Sequence, residues 1–267
     1  MPKKDHIPHG FKSKRQFELL VCYVTAVLSG FRDGYLVDCC SSEPAALSAL
    51  FHDAKYFPAD NQLLVVPMGD DNIVIRRDVL FNKLKMMEQN NWSNHPAVID
   101  IDGAISRICS SSELEAISHI LLQSISLPQE GSTLVVLRPD LMLEKVGFPF
   151  VAGWLLGYPC IYFTHIPSTL SGNTCLSMTL LLKIKISLRN GLTESQIDLQ
   201  EYTIPKCILG ADREISAAIE TALDWRIADL NAKLENCPIT THLVSPHGPP
   251  YHIDITREEC IFPSLVL

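Results

Sequence analysis

Asp38 closes a short apolar run and is followed at once by Cys39, Cys40, Ser41 and Ser42. An acid, two thiols and two hydroxyls at the carboxyl end of a strand sit where ligands gather in open α/β sheets, and a helix starting there favours an anion. The same residue types are the ordinary ones of a strand-to-helix turn, where they cap the helix instead. Neither thiol has an activating base nearby in sequence, so the pattern makes neither a nucleophile. His165 stands near the start of a polar loop that runs through Ser168 to Cys175. Such a loop can bind a ligand, and it can equally hold itself together by hydrogen bonds. His247, His252 and Asp254 form a third group. On a strand His252 and Asp254 would share one face, although a metal site there would need further ligands from elsewhere in the fold.

The fourth group is Ala97-Val-Ile-Asp100-Ile-Asp102-Gly103-Ala104-Ile105. It resembles the first motif of the haloacid-dehalogenase phosphohydrolases. The resemblance implies that Asp100 attacks phosphorus, that Asp102 serves as general acid and base, and that magnesium bridges carboxylate and phosphate. The segment departs from that family in three ways: Ala104 replaces the expected threonine, the motif lies mid-chain, and no acidic motif for magnesium follows it. The competing reading has Asp100 end a strand and Asp102-Gly103 make a turn. Magnesium is expected only under the hydrolase reading.

The elements that must position these groups follow from apolar periodicity. Positions 17, 20, 21, 24, 27 and 28 have helical spacing, and Gly30 follows where a C-terminal cap belongs. Gly34–Asp38, Gln62–Pro67, Ile73–Ile75, Pro96–Ile101, Thr133–Leu137 and Cys160–Phe163 read as short strands. Helices are expected from Pro44 to about His52, over Arg77–Gln89, from a Ser112-Glu-Leu-Glu115 capping box through Leu122, and from Arg138-Pro139 to about Leu156. After that the grammar changes. Leu182, Ile184, Ile186 and Leu188 alternate with polar residues up to the turn Asn190-Gly191, and a partner strand is expected within Ile197–Ile204. Asp212 is expected to cap a long helix whose apolar face runs through Ile215, Ile219, Leu223, Ile227, Leu230 and Leu234. The proline-rich tail from Ile239 reads as a wrap over the surface.

Bulk properties narrow the classes. The 267 residues are 47% hydrophobic and carry a formal charge of −8, with 22 Lys and Arg against 30 Asp and Glu. That balance offers no footprint for nucleic acid or an anionic membrane, because phosphate contacts rest on clustered cations. The one basic cluster, Lys3, Lys4, Lys12, Lys14 and Arg15, has no apolar run directly behind it, so residues 1–12 read as a flexible leader rather than a secretory signal. Nine cysteines lie scattered with no Cys-x-x-Cys, which fits small core residues kept reduced inside the cell. No apolar stretch approaches the roughly 20 residues of a spanning helix. Walker-type, dinucleotide-binding, Gly-x-Ser-x-Gly and His-Glu-x-x-His patterns are missing from the sequence.

Phe17–Gly30, Leu36-Val-Asp38, Ala97-Val-Ile-Asp100 and the span from Gly157-Tyr-Pro-Cys-Ile-Tyr162 to Cys175-Leu-Ser177 together resemble an uncharacterised vertebrate family. It is named after a human chromosome 1 open reading frame, and its single domain of unknown function covers nearly the whole chain. The resemblance implies no activity and no catalytic residue. The expectation is one α/β domain over residues 13–267, three-layered, with helices on both faces of a mixed sheet that is mostly parallel at first and antiparallel after about residue 174. The expected role is an intracellular, cytosolic or nuclear, binding or adaptor protein whose partner is a protein or a small molecule. The alternative is a metal-dependent hydrolase of a phosphorylated small molecule using Asp100 and Asp102.

Overall fold

The computed structural model describes residues 11–40, 43–58, 62–89, 92, 96–101, 107–126, 128, 133–138, 146–164, 179–190, 196–211, 213–236 and 251–261. Helix α1, Lys14–Leu28, is capped by the Ser13 hydroxyl, which accepts from the Gln16 N–H, and Gly30 follows at φ +76°. Phe11 packs edge-on against Phe17. Strand β1, Gly34–Leu36, leads to α2, Pro44–Phe51, and then to β2, Leu63–Met68, and β3, Asp71–Arg76. These strands form an antiparallel sheet in the order β1-β3-β2.

Successive residues of β2 enter different cores, as the pleat requires. Leu63 and Val65 pack with Leu20 and Val24 of α1 and with Leu47 and Phe51 of α2. Leu64 and Val66 pack instead with α3, Arg77–Glu88, with α4, Ser111–Ser124, and with α5, Phe148–Leu156.

The expected mostly parallel first part is corrected here. Only two residues, Gly69 and Asp70, join β2 to β3, with Gly69 at φ +66°. A loop that short closes a hairpin, whereas a parallel crossover needs a dozen residues or more. Parallel pairing does occur between β4, Ala97–Asp100, and β8, Cys160–Phe163, and at an isolated bridge from Val65 to Leu134. On its other side β4 pairs antiparallel with β5, Arg107–Ile108. Short strands β6, Ile125–Ser126, and β7, Val136–Leu137, pair with each other.

One helix start also differs from expectation. The capping box of α4 is built by Ser110 and Glu113, not by Ser112 and Glu115. Ser110 accepts from the Glu113 N–H while Glu113 holds the Ser110 N–H at 2.7 Å. Ser110→Ala should therefore lower stability by about 1 kcal/mol in a denaturant titration, and Ser112→Ala should leave it unchanged. Arg138 lies outside any helix, the rest of the helix start expected at Arg138-Pro139 falls on residues outside the described ones, and α5 opens at Phe148, after Gly147 at φ +77°.

The C-terminal sheet has the order β10-β9-β11, with β9 over Leu180–Asn190, β10 over Gln196–Pro205 and β11 over Tyr251–Ile261, all antiparallel. The tail expected to wrap the surface thus contains an eleven-residue strand. Helix α6, Lys206–Ala211, precedes α7, Arg213–Asn236. Ile219, Leu223 and Leu230 of α7 are buried against Ile184, Ile186 and Ile204 of the sheet and against Ile99 and Ile101. Besides its ladder with β9, side-chain bonds fasten β10 to earlier parts of the chain. Arg32 Nε donates to the Leu199 carbonyl at 2.6 Å, Gln200 Nε2 to the Gly157 carbonyl at 2.9 Å, and the Tyr162 hydroxyl to the Thr203 carbonyl at 2.5 Å.

None of the seven described cysteines forms a disulfide. Among the described residues no helix is long and apolar enough to cross a membrane.

Candidate functional site

The groups singled out in sequence reach the structure unevenly. Ser41, Ser42, Asp102, His165 and His247 lie outside the described residues. Asp38 is exposed and accepts from the Tyr35 hydroxyl at 2.9 Å. It is not the cap of α2, whose N-cap position is Glu43 without a side-chain bond. The Tyr35 ring stacks on Tyr23 at 4.8 Å, and the Arg32 guanidinium lies 4.8 Å and 5.2 Å from the two ring centroids. With Arg32 pinned to β10 by its Nε, this cluster clasps the N-terminal unit to the C-terminal sheet. The Cys39 thiol is held above its usual range, first by its bond with Cys40 and then by burial, so at neutral pH it is no ready thiolate.

Asp100 does stand at the end of β4, buried, but its carboxylate is 2.7 Å from Arg107 Nη2. Arg107 also holds Glu113 at 2.9 and 2.5 Å, so the cation joins the strand end to the start of α4. A carboxylate held by arginine is poorly placed to attack phosphorus. Burial pushes neighbouring Cys109 up to about 12. Asp254 pairs with Arg189 at 3.3 Å, and exposed His252 lies opposite the same arginine in the β9–β11 ladder. That cation works against a metal at this face. Among the described residues no three His, Cys, Asp or Glu side chains come together as a metal site.

Two features of α7 escaped the reading by sequence. The first is a buried charge network on its inner side. Arg226, 3% exposed, lies 3.4 Å from Asp33 and 2.8 Å from Asp229, and it donates to the Phe31 carbonyl at 3.1 Å. Lys83 of α3 reaches Asp33 at 2.9 Å, and Lys233 reaches Asp229 at 2.7 Å. Burial alone pushes the Asp33 carboxyl up, but Lys83 and then Arg226 outweigh it and hold it at about 2. The network locks α7 to the α1–β1 turn and to α3.

The second feature is the opposite face. Ala218, Thr221, Trp225, Ala228 and Ala232 are all exposed, and their spacing of three and four residues places them in one stripe along a helix about 36 Å long. Trp225 is 53% exposed at its centre. An indole on a surface of alanines is an anchor without a pocket of its own, and tryptophan is enriched among residues that dominate interfaces. Helical-wheel inspection of 213–236 would have found this stripe. The large aliphatic residues of the inner face draw the eye first.

A family model, described as a domain of unknown function (DUF4504), matches residues 9–236. The chain belongs to that family. The DUF4504 match spans α1 through α7, so both the charge network and the Trp225 stripe lie within it, while β11 lies beyond. No curated protein matches the chain, and no solved structure does. DUF4504 membership assigns no chemistry, and nothing found supports the hydrolase alternative.

Proposed function

We propose that this DUF4504 protein works by binding a protein chain through the outer face of α7, acting as a binding or adaptor protein inside the cell, in the cytosol or nucleus. The observation that carries the reading is the exposed Trp225 at the centre of an apolar stripe on a helix rigidly held from behind. Rigidity matters because an anchor fixed in advance loses little entropy on binding. The net charge of −8, which disfavours nucleic acid as the partner, is consistent with this role. The domain expected over residues 13–267, behind a basic leader, belongs to the same reading. Its three-layered N-terminal part is supported by the way β2 feeds two cores from opposite faces.

Trp225→Glu tests the proposal. The side chain is half in solvent, so the variant should fold with stability within about 0.5 kcal/mol of the parent. Proteins retained from cell extract by the parent chain should be lost with the variant and kept with Ser112→Ala. An unchanged set of retained proteins would refute the proposal.

A further inference from the structure

We infer that the partner seated on this face is a second copy of the chain, with the two α7 helices packed antiparallel about Trp225. The inference rests on the reading of the α7 face as a binding surface and names its occupant. A two-fold interface must be complementary to itself, each patch meeting the same patch. The stripe has that property. Ala218 and Ala232 stand seven residues to either side of Trp225, Thr221 four before it and Ala228 three after. In an antiparallel pair Ala218 meets Ala232 of the partner subunit, and the two indoles lie side by side across the axis, each flanked by Thr221 of the partner subunit and Ala228 of the partner subunit. Small side chains around one large one let two helices approach to ordinary packing distance.

The charges select the direction. Arg213 and Glu235 are both exposed and lie near opposite ends of α7, twelve residues before and ten after Trp225. Antiparallel pairing brings each Arg213 beside Glu235 of the partner subunit, twice over. A parallel pair would place arginine on arginine and glutamate on glutamate. One group opposes the arrangement: Asp224, exposed beside Trp225, faces Asp224 of the partner subunit across the two-fold axis. A single helix face of this kind makes a small interface, and small interfaces associate weakly and reversibly.

Sedimentation velocity of the full chain over a rising concentration series tests the inference. The parent should shift from monomer toward dimer, Trp225→Glu should weaken association at least tenfold, and Asp224→Asn should strengthen it. Arg213→Glu and Glu235→Arg should each weaken it, and the two together should restore it. A parent that stays monomeric throughout, or a dimer indifferent to Trp225→Glu, overturns the inference. If the parent is monomeric yet Trp225→Glu still loses proteins retained from extract, the face binds a different partner and the broader proposal stands. If that set is unchanged as well, both fail.

Discussion

Arg226→Ala is expected to destabilise the fold by about 3 kcal/mol, because it takes a buried cation from two half-buried carboxylates and a backbone carbonyl. Arg226 serves Asp33, Asp229 and the Phe31 carbonyl at once. With it gone, Lys83 and Lys233 still reach the two carboxylates, which keeps the loss near the lower end of what breaking a buried ion pair costs. The pH dependence gives an independent reading of the same network. Asp33 sits at about 2 in the folded chain, against about 4 when unfolded. A depressed carboxyl contributes stability that is fully present above pH 4 and is lost as pH falls toward 2, because the unfolded chain binds the proton first. Removing Arg226 raises the folded value toward the unfolded one, so the acid limb between pH 4 and pH 2 should flatten. Chemical denaturation at a series of pH values checks both the loss and the slope.

Gly157→Ala is the second large effect, again expected near 3 kcal/mol. Gly157 ends α5 in the left-handed region, at φ +73°, where a side chain costs about 1–2 kcal/mol. A Cβ there would also overlap the Asp33 carboxylate. Gly157→Asn separates the two terms, since asparagine tolerates the left-handed conformation but still carries the Cβ. It should recover only part of the loss. In an Asp33→Ala background the carboxylate overlap disappears and only the Cβ of residue 33, 2.8 Å away, still crowds the site, so the two substitutions should be non-additive by about 1 kcal/mol or more. Strict additivity would show that Gly157 and Asp33 are not packed together.

What the sequence could reveal follows the range of each interaction. The β9–β10 pairing was legible because alternation over Leu182–Leu188 and a matching run at Ile197–Ile204 are local signals. The β2–β3 hairpin was equally legible in its turn residues, and taking its two-residue loop at face value would have removed the parallel expectation. Three consecutive serines at the start of α4 offered two capping frames, and the Arg107–Glu113 pairing distinguishes them. Strand β11 was hidden because four of its eleven residues are charged and its partner lies some seventy residues upstream. Asp33 and Arg226 are nearly two hundred residues apart, and neither stands in a pattern that names the other. Asp100 was placed correctly at a strand end, but its engagement by Arg107 depends on the β4–β5 pairing. For the proposed binding face the signal was present. Trp225 lies opposite a helix face made of Ile219, Leu223 and Leu230, and a solvent-side tryptophan calls for a reason.

The claim that this face is covered in use can be put to one measurement, hydroxyl-radical labelling of tryptophan in the chain, pure and dilute, and again within cell extract. Trp154, 1% exposed, serves as the internal control for folding and should stay unlabelled in both samples. The account predicts that Trp225 is readily oxidised when dilute and protected severalfold in extract. Equal labelling of Trp225 in both, with Trp154 still protected, would contradict it.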